Sequence, residues 1–170
     1  MNTIFQATAP VTNSGPAKPA KPRILLVDDD PAMCRVLFRL LADEDFLVLT
    51  VANAGEALEL ADITEFDLVL LDLKTQAEDE WRIYGQLAAQ HPLLPMVLIA
   101  DRSDPFFRAA APNVDALVER PLNFTKLFHT IRNLLEEPAD ERLACFAERL
   151  VMFSGIPSQG ECPPKVWRVN

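Results

Sequence analysis

RILLVDDDPAMCRVL, residues 23–37, is the stretch whose reading decides the fold of this chain. Ile24–Val27, after Arg23, is apolar at every position, the pattern of a strand covered on both faces in a parallel sheet. Three carboxylates follow, Asp28, Asp29 and Asp30, and then Pro31. Aspartate before proline reads as a helix N-cap followed by the first helical residue. The carboxylate accepts from N–H groups that have no helical partner, and proline has no N–H to leave unsatisfied. Met33, Val36, Leu37, Leu40 and Leu41 then recur at the spacing of one helical face. A buried strand ending in acids and leading directly into a helix is one unit of an alternating β/α architecture.

The unit repeats along the chain. Further strands are expected at Leu47–Val51, Asp67–Leu71, Pro95–Ala100 and Val114–Val118. Asn53 and Glu56 form a capping-box-like pair that opens a short helix through about Ala61. Another helix is expected from about Asp79 to Gln90. The last helix of the domain is capped by Asn123 and runs through about Glu136, with Leu127, Phe128, Ile131, Leu134 and Leu135 on its inner side. Residues 101–113 read as a loop with a short, weak helix. Five strands alternating with helices imply an α/β fold: a doubly wound parallel sheet, covered on both faces through right-handed crossovers. Ligands of such sheets sit beyond the carboxyl ends of the strands. Asp28 and Asp29, Asp72, Ala100 and Asp101, and Arg120 all fall there.

The flanks differ from this domain of residues 23–136. Residues 1–22 hold Pro10, Pro16, Pro19 and Pro22 and no acid, and read as a disordered arm. Residues 137–170 carry an amphipathic helical pattern, with Leu143, Phe146, Ala147, Leu150 and Val151 on one face, and then an irregular tail. That stripe must be covered by its own domain, by a second copy in a homodimer, or by an output protein. The 170 residues have a formal net charge of −9, with 25 acidic against 16 basic side chains. This balance argues against non-specific DNA binding, which depends on Lys and Arg neutralising phosphates. Residues 137–170 are too short for a winged-helix domain, so no direct DNA binding is expected. No apolar run is long enough to span a bilayer and no signal-peptide pattern opens the chain, so a cytoplasmic location is expected. Cys34, Cys145 and Cys162 lack metal-ligand spacing and read as reduced thiols. His91 and His129 read as surface or packing residues.

The carboxylates carry the chemistry. Asp28, Asp29 and Asp72 end apolar strands of one sheet, and like charges this close repel unless a cation intervenes. Carboxylate oxygens with room for water suit Mg²⁺. The metal would offset the charge of an incoming phosphoryl group and leave an aspartate oxygen free as nucleophile. Asp30 is explained by its cap alone.

With "RILLVDDDPAMCRVL", "FDLVLLDLKTQAEDEW", "PMVLIADRSD" and "VDALVERPLNFTKL" in hand, residues 23–136 resemble the receiver domain of two-component response regulators. The resemblance implies a five-stranded doubly wound domain with strand order 2-1-3-4-5, to which the C-terminal helix is an addition. It implies Asp72 as the phosphoacceptor and Mg²⁺ on Asp28 and Asp29, Asp29 most directly, together with Asp72 and the backbone carbonyl of Lys74. It implies a histidine kinase or phosphotransfer protein as donor, with no enzymatic turnover of its own. The chain also departs from the pattern. Ala100 stands where the family has Thr or Ser, whose hydroxyl grips the phosphoryl oxygen, and Asp101 follows where a small residue is usual. Arg120 replaces the family lysine, and its planar fork is not equivalent to an ammonium. Leu117 stands at the aromatic switch position. Thr75-Gln76 replaces Met-Pro, and Glu80 replaces the glycine before the third helix.

Three functions compete on these residues: a phosphorylated receiver signalling by protein contacts, a pseudo-receiver that binds partners without phosphorylation, and a haloacid-dehalogenase-like phosphatase. The last rests on Asp28-Asp29-Asp30 as an Asp-x-Asp motif. It expects Thr or Val where this chain has Ala32, and it leaves Asp72 without a role.

Overall fold

The computed structural model describes residues 21–72, 78–101, 114–138 and 140–144. The strands are β1 (Arg23–Asp28), β2 (Leu47–Val51), β3 (Leu68–Asp72), β4 (Met96–Ala100) and β5 (Ala116–Glu119). The helices are α1 (Pro31–Asp43), α2 (Ala54–Ile63), α3 (Glu78–Gln90) and α4 (Phe124–Glu136). All strand pairs are parallel, in the order β2-β1-β3-β4-β5. This is the expected doubly wound α/β sheet.

The apolar runs are continuous because each strand of the sheet centre feeds two cores. Leu25, Val27, Val69, Leu71 and Leu98 pack under α2 and α3 with Ala57, Tyr84 and Leu87. Ile24, Leu26, Leu68, Leu70, Val97 and Ile99 pack under α1 and α4 with Leu37, Leu41, Leu127 and Ile131. Among the described residues no helix is long and apolar enough to cross a membrane.

The helix starts follow the local signals. Asp30 Oδ1 accepts from the N–H of Ala32 at 2.9 Å and of Met33 at 3.4 Å, with Pro31 at the first helical position. Asn53 Oδ1 accepts from Glu56 N at 3.0 Å, and Glu56 Oε2 accepts from Ala52 N at 3.2 Å. Asn123 Oδ1 accepts from Lys126 N at 3.1 Å. The α1–β2 turn has no glycine. Asp45 takes the left-handed conformation there (φ 70°), one that aspartate tolerates better than most residues.

Several boundaries move from their expected places. α2 runs to Ile63, two residues beyond Ala61, and ends where Thr64 N donates to Leu60 O at 2.9 Å. β3 starts at Leu68 because Asp67 is spent as a clasp: its Oδ2 accepts from Arg23 N at 2.6 Å. β5 starts at Ala116 because Asp115 Oδ2 takes the Met96 N–H at 2.8 Å, in place of a backbone carbonyl. On α1, Val36 is 45% exposed and does not belong to the buried stripe, since β2 is the sheet edge and nothing described lies beyond it. The N-terminal arm through residue 20, residues 102–113 and the chain from Cys145 onward lie outside the described residues, as do Lys74, Thr75 and Gln76.

Candidate functional site

The carboxyl ends of β1 and β3 are held side by side by the sheet register, which pairs Asp28 with Asp72. Both carboxylates are buried, Asp28 at 3% exposure and Asp72 at 0%. Asp29, one residue further along the pleat, is exposed. Of the three consecutive acids, each therefore has a separate position: Asp28 inward, Asp29 outward, Asp30 on the helix N-terminus. Among the described residues no three His, Cys, Asp or Glu side chains gather closely enough to hold a metal ion. The expected three-carboxylate pocket is present as a buried pair with Asp29 beside it. Lys74, expected to add a carbonyl, lies outside the described residues.

Two buried anions side by side are costly unless cations or hydrogen bonds compensate them. Asp28 Oδ1 accepts from Asp30 N at 2.8 Å, a turn that fixes the carboxylate as the chain enters α1. Arg120 donates from Nη2 to Asp72 Oδ1 as an ion pair, with the arginine side chain 23% exposed. The arginine is delivered by β5: its backbone N donates to Ala100 O at 3.1 Å, which anchors the end of β5 on the end of β4. The Arg120–Pro121 peptide bond is cis.

Of the remaining positions expected to sense phosphate, two are buried and apolar. Ala100 is buried at 3% and offers no hydroxyl to the site. Leu117 is 3% exposed and packed in the α2/α3 core. Asp101 is exposed at the rim. Asp30 is occupied by α1, so the Asp-x-Asp reading keeps Asp28 inward but has its second aspartate tied to the helix cap.

Cys34 lies close enough to Asp28 to feel its charge. It is a free thiol on α1, partly buried. Burial raises its pKa first, and the negative charge of Asp28 adds to that; a hydrogen bond with Thr50 and the charge of Arg35 act in the opposite direction. A raised thiol pKa means less thiolate at neutral pH and slower alkylation. Iodoacetamide at pH 7.5 is therefore expected to modify Cys34 several-fold more slowly in the folded protein than in urea, read by peptide mass spectrometry. Equal rates would show that the thiol is not held back. His91 pairs with Asp62 at 3.3 Å, far from this pocket, in keeping with a surface role.

Comparisons with known proteins bear on this arrangement. The family model for the response regulator receiver domain matches residues 24–132. The transcriptional regulatory protein GlrR of Escherichia coli (strain K12) is 31% identical over 130 residues, which cover 74% of this chain and 29% of GlrR. This chain thus spans less than a third of that relative's length. The response regulator protein TrrA from Thermotoga maritima, solved in complex with Mg²⁺ and BeF, matches with a TM-score of 0.60 at 26% identity, over 66% of this chain and 98% of TrrA. A chain of the solved complex between histidine kinase ThkA and TrrA matches with a TM-score of 0.58 at 27% identity, over 68% of this chain and 99% of that one. A family match that runs through all five strands and into α4 makes this chain a member of the response regulator receiver family.

Proposed function

We propose that this domain is a two-component phosphorelay receiver. It takes a phosphoryl group onto Asp72 from a histidine kinase or phosphotransfer protein, in the cytoplasm, and signals through protein contacts. The observation that carries the reading is the register pair of Asp28 and Asp72, both buried, at the mouth of the sheet. An Asp72 oxygen attacks the phosphorus of a ring-protonated phosphohistidine and the P–N bond breaks with its electron pair going to nitrogen; the imidazole leaves neutral, keeping the proton already on its other ring nitrogen, and an aspartyl phosphate is formed. Arg120 stands on the same carboxylate and can follow the charge from carboxylate to phosphoryl oxygen. Carboxylate oxygens are the donors Mg²⁺ prefers, so the donor set fits that ion. The buried Asp28–Asp72 pair would hold it, Asp29 would have to turn in from its exposed position to join them, and the Lys74 carbonyl is the ligand that the family resemblance adds; the ion would supply a positive charge against the incoming phosphoryl group. The complexes of TrrA with Mg²⁺ and BeF and with a histidine kinase support both parts of this reading by likeness.

Ala100 and Leu117 favour a muted response. A ligand shifts a two-state equilibrium only by its differential contacts with the two states. With no hydroxyl at Ala100 and a core-packed Leu117, phosphorylation has few contacts to change. The second reading, a phosphorylation-independent binding module, draws on the Arg120–Asp72 ion pair, which already satisfies one oxygen of the acceptor. Incubation with acetyl phosphate and Mg²⁺ distinguishes the two. One phosphoryl group on Asp72 by mass spectrometry, absent in Asp72→Ala, is expected. The shifts it induces in the NMR spectrum should be small across β4 and β5 and larger in the Ala100→Thr/Arg120→Lys variant. An unmodified Asp72 would leave the binding-module reading standing.

A further inference from the structure

The two edges of the sheet are finished differently. At β5 the side chains of Ala116, Leu117 and Val118 are all buried, and the strand ends at Glu119, before Arg120 and Pro121. At β2 both faces are open. Leu47 and Leu49, at 46% and 37% exposure, lie on the face turned to α2, as alternation from Val51 in that core requires. On the other face a cleft of about 580 Å³ opens beside α1. Cys34, Phe38 and Thr50 line it with Arg35 and Arg39, and the rest of its wall is apolar. Phe38 is 43% exposed. Natural edge strands are blunted by Lys, Pro or a bulge, because their outward N–H and C=O groups pair with any strand that arrives. β2, Leu-Val-Leu-Thr-Val, has no charge, proline or glycine, and its register with β1 runs unbroken from Leu47 to Val51.

The backbone fixes which groups face outward. Leu47 N donates to Pro22 O at 2.9 Å, so Leu47, and with it Leu49 and Val51, turns its polar backbone toward β1. Val48 and Thr50 turn theirs to the open side. An antiparallel copy of the same strand, with a two-fold axis at Leu49, matches this pattern. It sets Val48 opposite Thr50 of the second copy as pairs that exchange both hydrogen bonds, and Leu49 opposite Leu49 as a close pair without them. Leu47 then falls opposite Val51. An axis at Val48 would instead set Val51 against the turn residue Asp45.

Charge selects the same partner. Arg35 and Arg39 stand beside the end of β2 that holds Thr50, whereas the acidic run Asp43-Glu44-Asp45 closes α1 next to the start of β2. The first turn of α1 has no acid and the last no base, against the preference of the helix dipole, so the helix's own stability does not explain this distribution. Arg35, Arg39 and Asp43 are exposed and form no ion pair among the described residues. Glu44 and Asp45 pair with Arg132 and Lys21, each at 2.6 Å. An antiparallel neighbour brings the arginine-bearing part of one α1 to the acidic end of the other, twice over.

We propose that the domain self-associates through β2 as a two-fold antiparallel edge pair. The pair doubles the five-stranded sheet and sets the two α1 helices side by side on one face, with Phe38 of each copy at the cleft of the other. The contact is isologous, so it closes at two copies and leaves no open edge at β2. It does not rest on phosphorylation of Asp72.

Sedimentation of the full chain is expected to show a dimer that dissociates on dilution. Leu49→Lys puts two like charges on the axis and is expected to give a monomer with an unchanged circular dichroism spectrum. Thr50→Pro, which deletes an outward N–H and spares the ladder to β1, is expected to do the same and serves should Leu49→Lys not fold. Arg35→Glu with Arg39→Glu should weaken the dimer about tenfold or more, by setting acid against acid. Leu49→Cys should join to itself under mild oxidation, since a close antiparallel pair lies within disulfide reach, and Ile63→Cys, more exposed still, should not. Peptide mass spectrometry reads both. A wild type that is monomeric at every concentration would overturn the proposal; protection of the Val48 and Thr50 amides from hydrogen exchange in that monomer would assign the edge to another part of the same chain. A dimer that survives Leu49→Lys would overturn it equally and place the interface elsewhere.

Discussion

Arg120→Ala is expected to cost about 3 kcal/mol of stability in metal-free buffer, because it strips the cation from a carboxylate that is completely buried beside another. For a domain of this size that is roughly 6–12 °C of melting temperature. The loss comes less from the missing attraction than from what is left behind: Asp72 would keep its burial and its neighbour Asp28 with no arginine against it. Mg²⁺ should recover a large part of the loss in the variant and shift the wild type less, since in the wild type the ion must share Asp72 with Arg120. Arg120→Lys, which keeps the charge but not the fork, should lie between the two. Calorimetry with EDTA and with Mg²⁺ reads all of these directly. A variant as stable as the wild type in EDTA would show that the ion pair contributes nothing net.

Asp28→Asn is expected to have the opposite sign. Asparagine keeps an Oδ1 that can accept from Asp30 N, so the entry into α1 survives. What disappears is one of two adjacent buried charges, and relief of that repulsion should raise the metal-free melting temperature by roughly 2–6 °C. The same change should weaken Mg²⁺ at least tenfold, by removing a carboxylate ligand. Stability gained with binding lost is the pattern of a site kept strained for function. Cys34 offers an independent report. The charge of Asp28 is the second cause holding its thiol up, after burial. Neutralising Asp28 should therefore lower the thiol pKa and speed alkylation of Cys34 in the folded protein. Mg²⁺ bound at Asp28 should do the same in the wild type. A destabilised Asp28→Asn with normal Mg²⁺ binding would mean that the aspartate acts as a turn residue alone.

Local chemistry was readable in the linear chain because its partners are a few residues apart. Asp30 with Pro31, Asn53 with Glu56, and Asn123 each cap a helix within three residues of themselves. The parallel sheet followed from strands apolar at every position, since burial on two faces leaves no polar alternation. The starts of β3 and β5 are not legible, for the complementary reason. Asp67 and Asp115 look like strand or loop residues until Arg23 and Met96 are brought against them, and those are distant in the chain.

By itself, then, the sequence determined the element order, the helix starts and the residues that collect at the carboxyl end of the sheet. Strand register decided the rest. Asp28 and Asp72 are 44 positions apart, and only the β1–β3 pairing makes them neighbours. Which of Asp28 and Asp29 turns inward is set by the pleat, where a shift of one residue reverses the face. That Arg120 spends its guanidinium on Asp72 depends on the end of β5 being pinned to Ala100. That Val36 is exposed depends on β2 being an edge, and that Arg142 reaches Leu93 depends on where α4 lets the chain go. These contacts join residues that share no local pattern, because they are created by folding and leave no periodicity in the chain.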